Sequence, residues 1–201
     1  TVSDGELTDS QSMTVTILPV NDAPVATVGL TGATNEDQSI VVNLSGSDID
    51  GDNLSFSLNT DGLNGSVSIV GSIATYTPTS NYNGDDSFVF TVSDGELTDS
   101  DSFTLTVNPI NDAPVANAVS GETDEDQSVS VTLSGSDIDS DQLTFSLLSD
   151  ASSGSVTIDG TLATYVAAQD FNGSDSFIFT ISDGELTDSE TVTLIINAVN
   201  D

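Results

Sequence analysis

Asp48, Asp50 and Asp52 alternate in the run Ser-Asp-Ile-Asp-Gly-Asp, and the same spacing returns as Asp137, Asp139 and Asp141. A spacing of two sets the three carboxylates on one side of the chain. Two such groups 4 Å apart repel by about 4 kcal/mol at an effective dielectric of 20. A bridging cation relieves that repulsion. The donors on offer are oxygens, and Ca²⁺ takes six to eight of these from carboxylates, amide and backbone carbonyls and water. His and Cys, which attract zinc and copper, are absent. Catalysis has little to work with. With no His, Cys, Lys or Arg, only a carboxylate pair of glycosidase type remains. The acids recur in each repeat and imply no distinct cleft, so no enzyme is expected.

The bulk composition points the same way. The chain has 201 residues, 33 of them Asp or Glu, and a formal net charge of -33. A chain without cationic side chains cannot neutralise phosphates, which excludes nucleic acid as a partner. It gains nothing from an anionic membrane surface either. No apolar run is long enough to span a bilayer, so no membrane insertion is expected. High charge with few aromatics can signal disorder, but here 36% of residues are hydrophobic and they alternate. Charge of this density opposes compaction, and site-bound cations would offset it. Without cysteine, no disulfide staples the fold.

The elements that must position these acids come from an internal repeat. Ser-Asp-Gly-Glu-Leu-Thr-Asp-Ser occurs at 3–10, 93–100 and 182–189. Asn-Asp-Ala-Pro occurs at 21–24 and 111–114, and Asn200-Asp201 closes the chain. Asp22 and Asp112 are 90 residues apart, Asp112 and Asp201 89. A solenoid unit is shorter, roughly 20–45 residues, so each repeat is expected to be a domain. Two complete modules are expected, over 23–110 and 113–199. Residues 1–20 are expected to be the closing strands of a preceding module.

Within the first module, Ile40/Val42/Leu44, Leu54/Phe56/Leu58, Val67/Ile69, Phe88/Phe90/Val92 and Phe103/Leu105/Val107 alternate with polar residues. Period two with Val, Ile, Phe and Thr is the half-buried strand signature, and Gly, Asn, Asp and Pro mark the turns between. Seven strands are predicted, over 25–34, 38–45, 53–59, 65–70, 72–77, 87–93 and 97–108. The expected class is all-β, with tandem seven-stranded Greek-key sandwiches of immunoglobulin type.

An up-and-down course through seven strands sends the acids to the two ends of each module. Asp48, Asp50 and Asp52 lie between the second and third strands. Asp94 and Glu96 lie between the sixth and seventh, and Asn21-Asp22 leads in beside them. Glu36-Asp37 and Asp85-Asp86 fall at the other end, where Asn111-Asp112 leaves. Each motif alone has a plain reading as turn or solvated surface. Their coincidence at the ends is what favours cations.

Asn-Asp-Ala-Pro between modules, Asp-Ile-Asp after the second strand, the Glu after the first, and Val-Ser-Asp-Gly entering the last hairpin together resemble the cadherin domain. Among its relatives, the chain is most similar to the cadherin-like tandem repeats of large secreted (RTX-type) bacterial adhesins. The resemblance covers both modules and the leading segment. It implies calcium between successive domains, with ligands at Glu36 and Glu125, at Asn21, Asp22, Asn111 and Asp112, at Asp48, Asp50, Asp137 and Asp139, and at Asp94 and Asp183. The family's Asp-x-Glu before the sixth strand is absent. Asp86 and Asp175 are the candidates to stand in for it; without them a junction holds fewer ions.

The expected function is a calcium-rigidified extender in the stalk of a secreted, cell-surface adhesin. Extracellular sites bind Ca²⁺ at about 10⁻⁴–10⁻³ M, so they fill outside the cell, and metal binding couples to folding. The partners are neighbouring repeats of the same chain. The alternative is an adhesion module that itself binds surface glycans or like modules. Only 3 Tyr and 8 Phe are present, and most Phe occupy inward strand positions, which weighs against an aromatic sugar platform. A further possibility is that the leading segment pairs with another chain's sheet edge.

Overall fold

A computed structural model describes residues 1–139 and 142–200; Asp141 and Asp201, both named above, lie outside them. Two compact units, Thr1–Asn108 and Pro109–Asp201, divide the chain. The described residues hold only β-strands as regular structure.

Unit 1 begins with a short hairpin, β1 (Val2–Ser3) against β2 (Thr8–Asp9). Met13, Val15 and Ile17 follow in exposed, irregular chain. They match Phe103, Leu105 and Val107 in sequence position, which are buried. Nine strands come next: β3 (Val25–Ala26), β4 (Leu30–Asn35), β5 (Ile40–Asn43), β6 (Gly46–Ser47), β7 (Ser55–Thr60), β8 (Gly65–Val70), β9 (Ile73–Pro78), β10 (Gly84–Ser93) and β11 (Thr98–Asn108). One sheet has the order β4-β11-β10-β7, the other β5-β9-β8, and β3 pairs with β6. The all-β class predicted from alternation is what forms. Phe88, Phe90 and Val92 of β10 and Phe103, Leu105 and Val107 of β11 point inward onto Val42, Ala74 and Tyr76. Phe88 and Phe103 stack with ring centroids 5.2 Å apart. Burying a side chain of this size contributes about 1.5–3 kcal/mol, so these rings dominate the core.

Three predicted elements differ from the structure. The strand expected over 38–45 shortens to β5 (Ile40–Asn43), and the unpredicted β6 follows it. The single strand expected over 25–34 breaks into β3 and β4, which join different partners: β3 pairs antiparallel with β6, and β4 pairs parallel with β11. Gly29 sits at the break with φ +72°, a conformation that glycine adopts without steric cost. The strand expected over 87–93 begins three residues earlier, at Gly84. This places Asp86 inside a strand rather than in a loop.

Unit 2 repeats the plan with β12 (Val115–Ala116), β13 (Val119–Asp124), β14 (Ser128–Thr132), β15 (Gly135–Ser136), β16 (Thr144–Ser149), β17 (Gly154–Asp159), β18 (Leu162–Ala167), β19 (Gly173–Ser182) and β20 (Thr187–Asn197). Its sheets run β13-β20-β19-β16 and β14-β18-β17, with β12 beside β15. It has its own core around Tyr165, Phe177, Phe179, Ile181, Leu194 and Ile196.

Candidate metal centre

At the end of unit 1 where β11 begins, the leading linker meets two acidic loops. The Asn21 side-chain amide donates to Asp94 Oδ2 at 2.9 Å, and the Asp22 N–H donates to Asp50 Oδ2 at 2.8 Å. Asp48 organises the loop after β6. Its Oδ1 accepts the N–H groups of Asp50, Gly51 and Asp52 at 2.8, 3.0 and 3.3 Å, which curls the chain around the carboxylate. Gly51 takes φ +81° to close the curl. Asp48 Oδ2 is buried and has no hydrogen-bond partner. A bare buried carboxylate oxygen costs more than a satisfied one, so this atom has room for a further partner, as does Asp101 Oδ2. Asp48, Asp50 and Asp52 can each offer an oxygen within 4.8 Å of the others. Opposite ligands of a Ca²⁺ ion lie about 4.6–5.2 Å apart, against about 4.0–4.2 Å for Mg²⁺. The donor set fits calcium in its oxygen chemistry, and separations within 4.8 Å admit the span of either ion.

Unit 2 repeats these contacts. Asn111 donates to Asp183 Oδ2 at 2.9 Å, Asp112 N–H to Asp139 Oδ2 at 2.8 Å, and Asp139 N–H to Asp137 Oδ1 at 2.9 Å. The hydrogen bonds also tune the acids. Asp94 is held below the usual carboxylate range by the Leu97 and Glu96 N–H groups, then by Asn21. Asp183 is lowered by Asn111 first, then by Glu185 and Leu186. Both are held in the ionised form.

At the far end of β11, Glu36 is buried and its N–H donates to the Asn108 carbonyl at 2.9 Å. In unit 2 the equivalent Glu125 carboxylate accepts from Val199 N–H at 2.6 Å and from the Asn172 amide at 3.2 Å. An eleven-residue strand spans roughly 35 Å, so within one unit Glu36 is remote from Asp48, Asp50 and Asp94. The structure therefore gathers Asn21, Asp22, Asp48, Asp50 and Asp94 at one end of unit 1 and leaves Glu36 at the other.

Asp86 has a different occupation from the one its sequence context suggests. It faces inward from β10, and four donors occupy its carboxylate: Leu63 N–H at 3.1 Å and Ser87 N–H at 2.8 Å on Oδ1, Asn64 N–H at 2.9 Å and Tyr76 O–H at 2.7 Å on Oδ2. Burial pushes its pKa up, but these hydrogen bonds outweigh that and hold it below the usual range. Tyr76 is pushed well above the ordinary phenol value by burial and by this carboxylate. Asp175 and Tyr165 form the same pair at 2.9 Å, with Ser152 and Ser153 as further donors. These carboxylates clamp the loop after β7 or β16. Gly65 and Gly154 lie beneath the Tyr76 and Tyr165 rings, which leave no room for a Cβ.

Sequence reasoning passed over Asp99 and Asp188. They face inward and accept the N–H of Ala26 and Ala116 at 2.9 and 2.8 Å, pinning each module's first strand. Their signal was parity: Asp99 has the same strand parity as buried Phe103, Leu105 and Val107.

The sequence pattern of the bacterial Ig domain matches residues 21–108 and again 111–195. Two crystal forms of human protocadherin-24 EC1-2 share the fold. One is 16% identical with a TM-score of 0.59, the other 15% identical with 0.58, and each comparison covers 90% of this chain and 100% of the other. An endo-fucoidan hydrolase of glycoside hydrolase family 107 is 21% identical over 89% of this chain, with a TM-score of 0.39 that carries no argument. The chain spans only 29% of that enzyme's length. A comparison with curated proteins finds no match. No helix among the described residues is long and apolar enough to cross a membrane. With the family pattern matched twice, on two units of cadherin-like sandwich fold, the chain belongs to the bacterial Ig domain family.

Proposed function

We propose that this chain is an extender segment of a secreted bacterial cell-surface adhesin, stiffened by calcium where one repeat follows the next. The reading is structural rather than catalytic. Its main support is the buried, unpartnered Asp48 Oδ2 in a loop whose three carboxylates can bring oxygens within 4.8 Å of one another. Asp48, Asp50 and Asp94, with Asn21 and Asp22, supply one half of a site, and Asp137, Asp139 and Asp183, with Asn111 and Asp112, supply the matching set of the second module. Glu36 and Glu125 would contribute from the opposite end of the neighbouring repeat. Asp86, saturated by four donors, is left out of the ligand set. Bound calcium would neutralise facing acids and fix the linker angle. At about 10⁻⁴–10⁻³ M affinity, the sites fill outside the cell.

Thermal unfolding in millimolar calcium, equal magnesium and chelator tests this. Magnesium controls for screening of a -33 chain. A rise in Tm specific to calcium is expected; equal rises with both ions, or none, would remove the mechanism.

A further inference from the structure

Unit 1 carries a cleft that the cation chemistry does not use. Its volume is about 860 Å³, within the range of small-ligand sites. The floor is the outer face of three strands. Thr31 of β4 stands beside Thr104 of β11, which stands opposite Ser87 of β10, so three hydroxyl side chains form one row across the sheet. In the next row Thr106 donates to Asp85 Oδ1 at 2.7 Å. The wall is the loop after β7, held by Asp86 through the Leu63 and Asn64 N–H groups. Leu63 itself is 90% exposed above that wall, a bare alkyl surface beside a hydroxyl floor.

Each feature selects a ligand class. Hydroxyls both donate and accept, so a row of them, spaced by the strand separation of about 4.8 Å, matches a ligand that presents hydroxyls at intervals. The Thr106 hydroxyl spends its donor on Asp85, which leaves its oxygen to accept from a ligand. The exposed leucine suits the C–H face of a sugar ring. The -33 charge repels sulfated or uronic polymers. We propose that this cleft binds a neutral oligosaccharide, one chain segment lying along the hydroxyl row against Leu63.

The second module supplies an internal comparison. The floor residues Thr104 and Ser87 recur as Thr193 and Ser176, and the Tyr76–Asp86 clamp recurs as Tyr165–Asp175. The three side chains that give the cleft its specificity do not: Leu63 becomes Ser152, Asp85 becomes Ser174 and Thr106 becomes Ile195. The framework is retained while the ligand-facing positions change, so binding belongs to unit 1 alone.

Amide NMR shifts of the full 201-residue chain, titrated with neutral gluco-, manno- and galacto-hexasaccharides, test the proposal, with a polyuronate hexasaccharide as control. At least one neutral sugar is expected to shift Thr31, Leu63, Thr104 and Thr106 with a dissociation constant of about 0.1–1 mM, leaving Ser120, Ser152 and Thr193 unmoved. The variant Asp85→Ser/Thr106→Ile, which installs residues that unit 2 already folds with, should weaken binding at least about tenfold with an unchanged Tm. No shifts with any neutral sugar at about 10 mM, equal shifts with the polyuronate, or binding that survives the double variant would overturn it. So would shifts produced by calcium chloride alone. Titration in chelator separates this proposal from the calcium reading, because the cleft uses none of the Asp48 loop.

Discussion

Asp86 and Asp48 belong to the same module and carry the same side chain, yet their hydrogen-bond accounts are opposite. Asp86 receives four donors and neither oxygen is left bare. Asp48 has three donors on one oxygen and none on the other, which is buried. A fully satisfied buried carboxylate stabilises the chain as it stands; a half-satisfied one calls for something the chain does not supply. Acid content therefore says little about what each aspartate does. The donor count sets Asp48 apart from Asp86, but it does not assign a ligand by itself: Asp94 has donors on both oxygens, and Asp101 Oδ2 is as bare as Asp48 Oδ2.

The strongest challenge to this contrast is Asp86→Ala. It leaves the Tyr76 hydroxyl and three amide N–H groups without their acceptor, and should cost about 3–5 kcal/mol whether or not calcium is present. Denaturant unfolding of both forms reads this, and a cost confined to calcium-loaded protein would make Asp86 a ligand after all. Next in size is Asp48→Asn, which keeps an oxygen to cap the loop and removes the charge. In chelator its stability should be nearly unchanged. The calcium-dependent gain, about 1.4–2.7 kcal/mol per site at 10–100 times the dissociation constant, should be largely lost, as seen by calorimetry. Acidity sharpens the same distinction. The Asp86 pKa is depressed on folding, so its stabilisation is present above the unfolded value of about 3.9 and disappears as pH falls through the lower folded value. Midpoints measured from pH 5 to 2 should drop below about pH 4, and Asp86→Asn should flatten that part of the curve. Smallest is Gly29→Ala at the strand break, expected to cost about 1 kcal/mol with the calcium response intact.

Much of the fold was legible because alternation is a direct record of which side chains face the core. Phe88/Phe90/Val92 and Phe103/Leu105/Val107 marked their strands correctly. The break at Gly29 was invisible for the same reason: Ala26, Leu30, Gly32 and Thr34 keep one parity across it, so period two passes through unbroken. Asp86 was misplaced although its parity agrees with Phe88, Phe90 and Val92. An adjacent pair of acids after Asn-Gly reads as a loop, and only the position of Tyr76 reveals its acceptor role. The cleft of unit 1 left no sequence trace, because its floor and wall come from four separate stretches of chain.

The pairing of β4 with β11 has a mechanical consequence. The two strands run parallel over six register pairs, Leu30 beside Phe103 through Asn35 beside Asn108. The chain enters the module ahead of β4 and leaves it after β11. Tension applied through the two termini therefore slides one strand along the other. All the hydrogen bonds of the pair are then loaded together, instead of peeling open one after another. Once the two-residue β3 has let go of β6, the β4–β11 pair is the seam that resists extension.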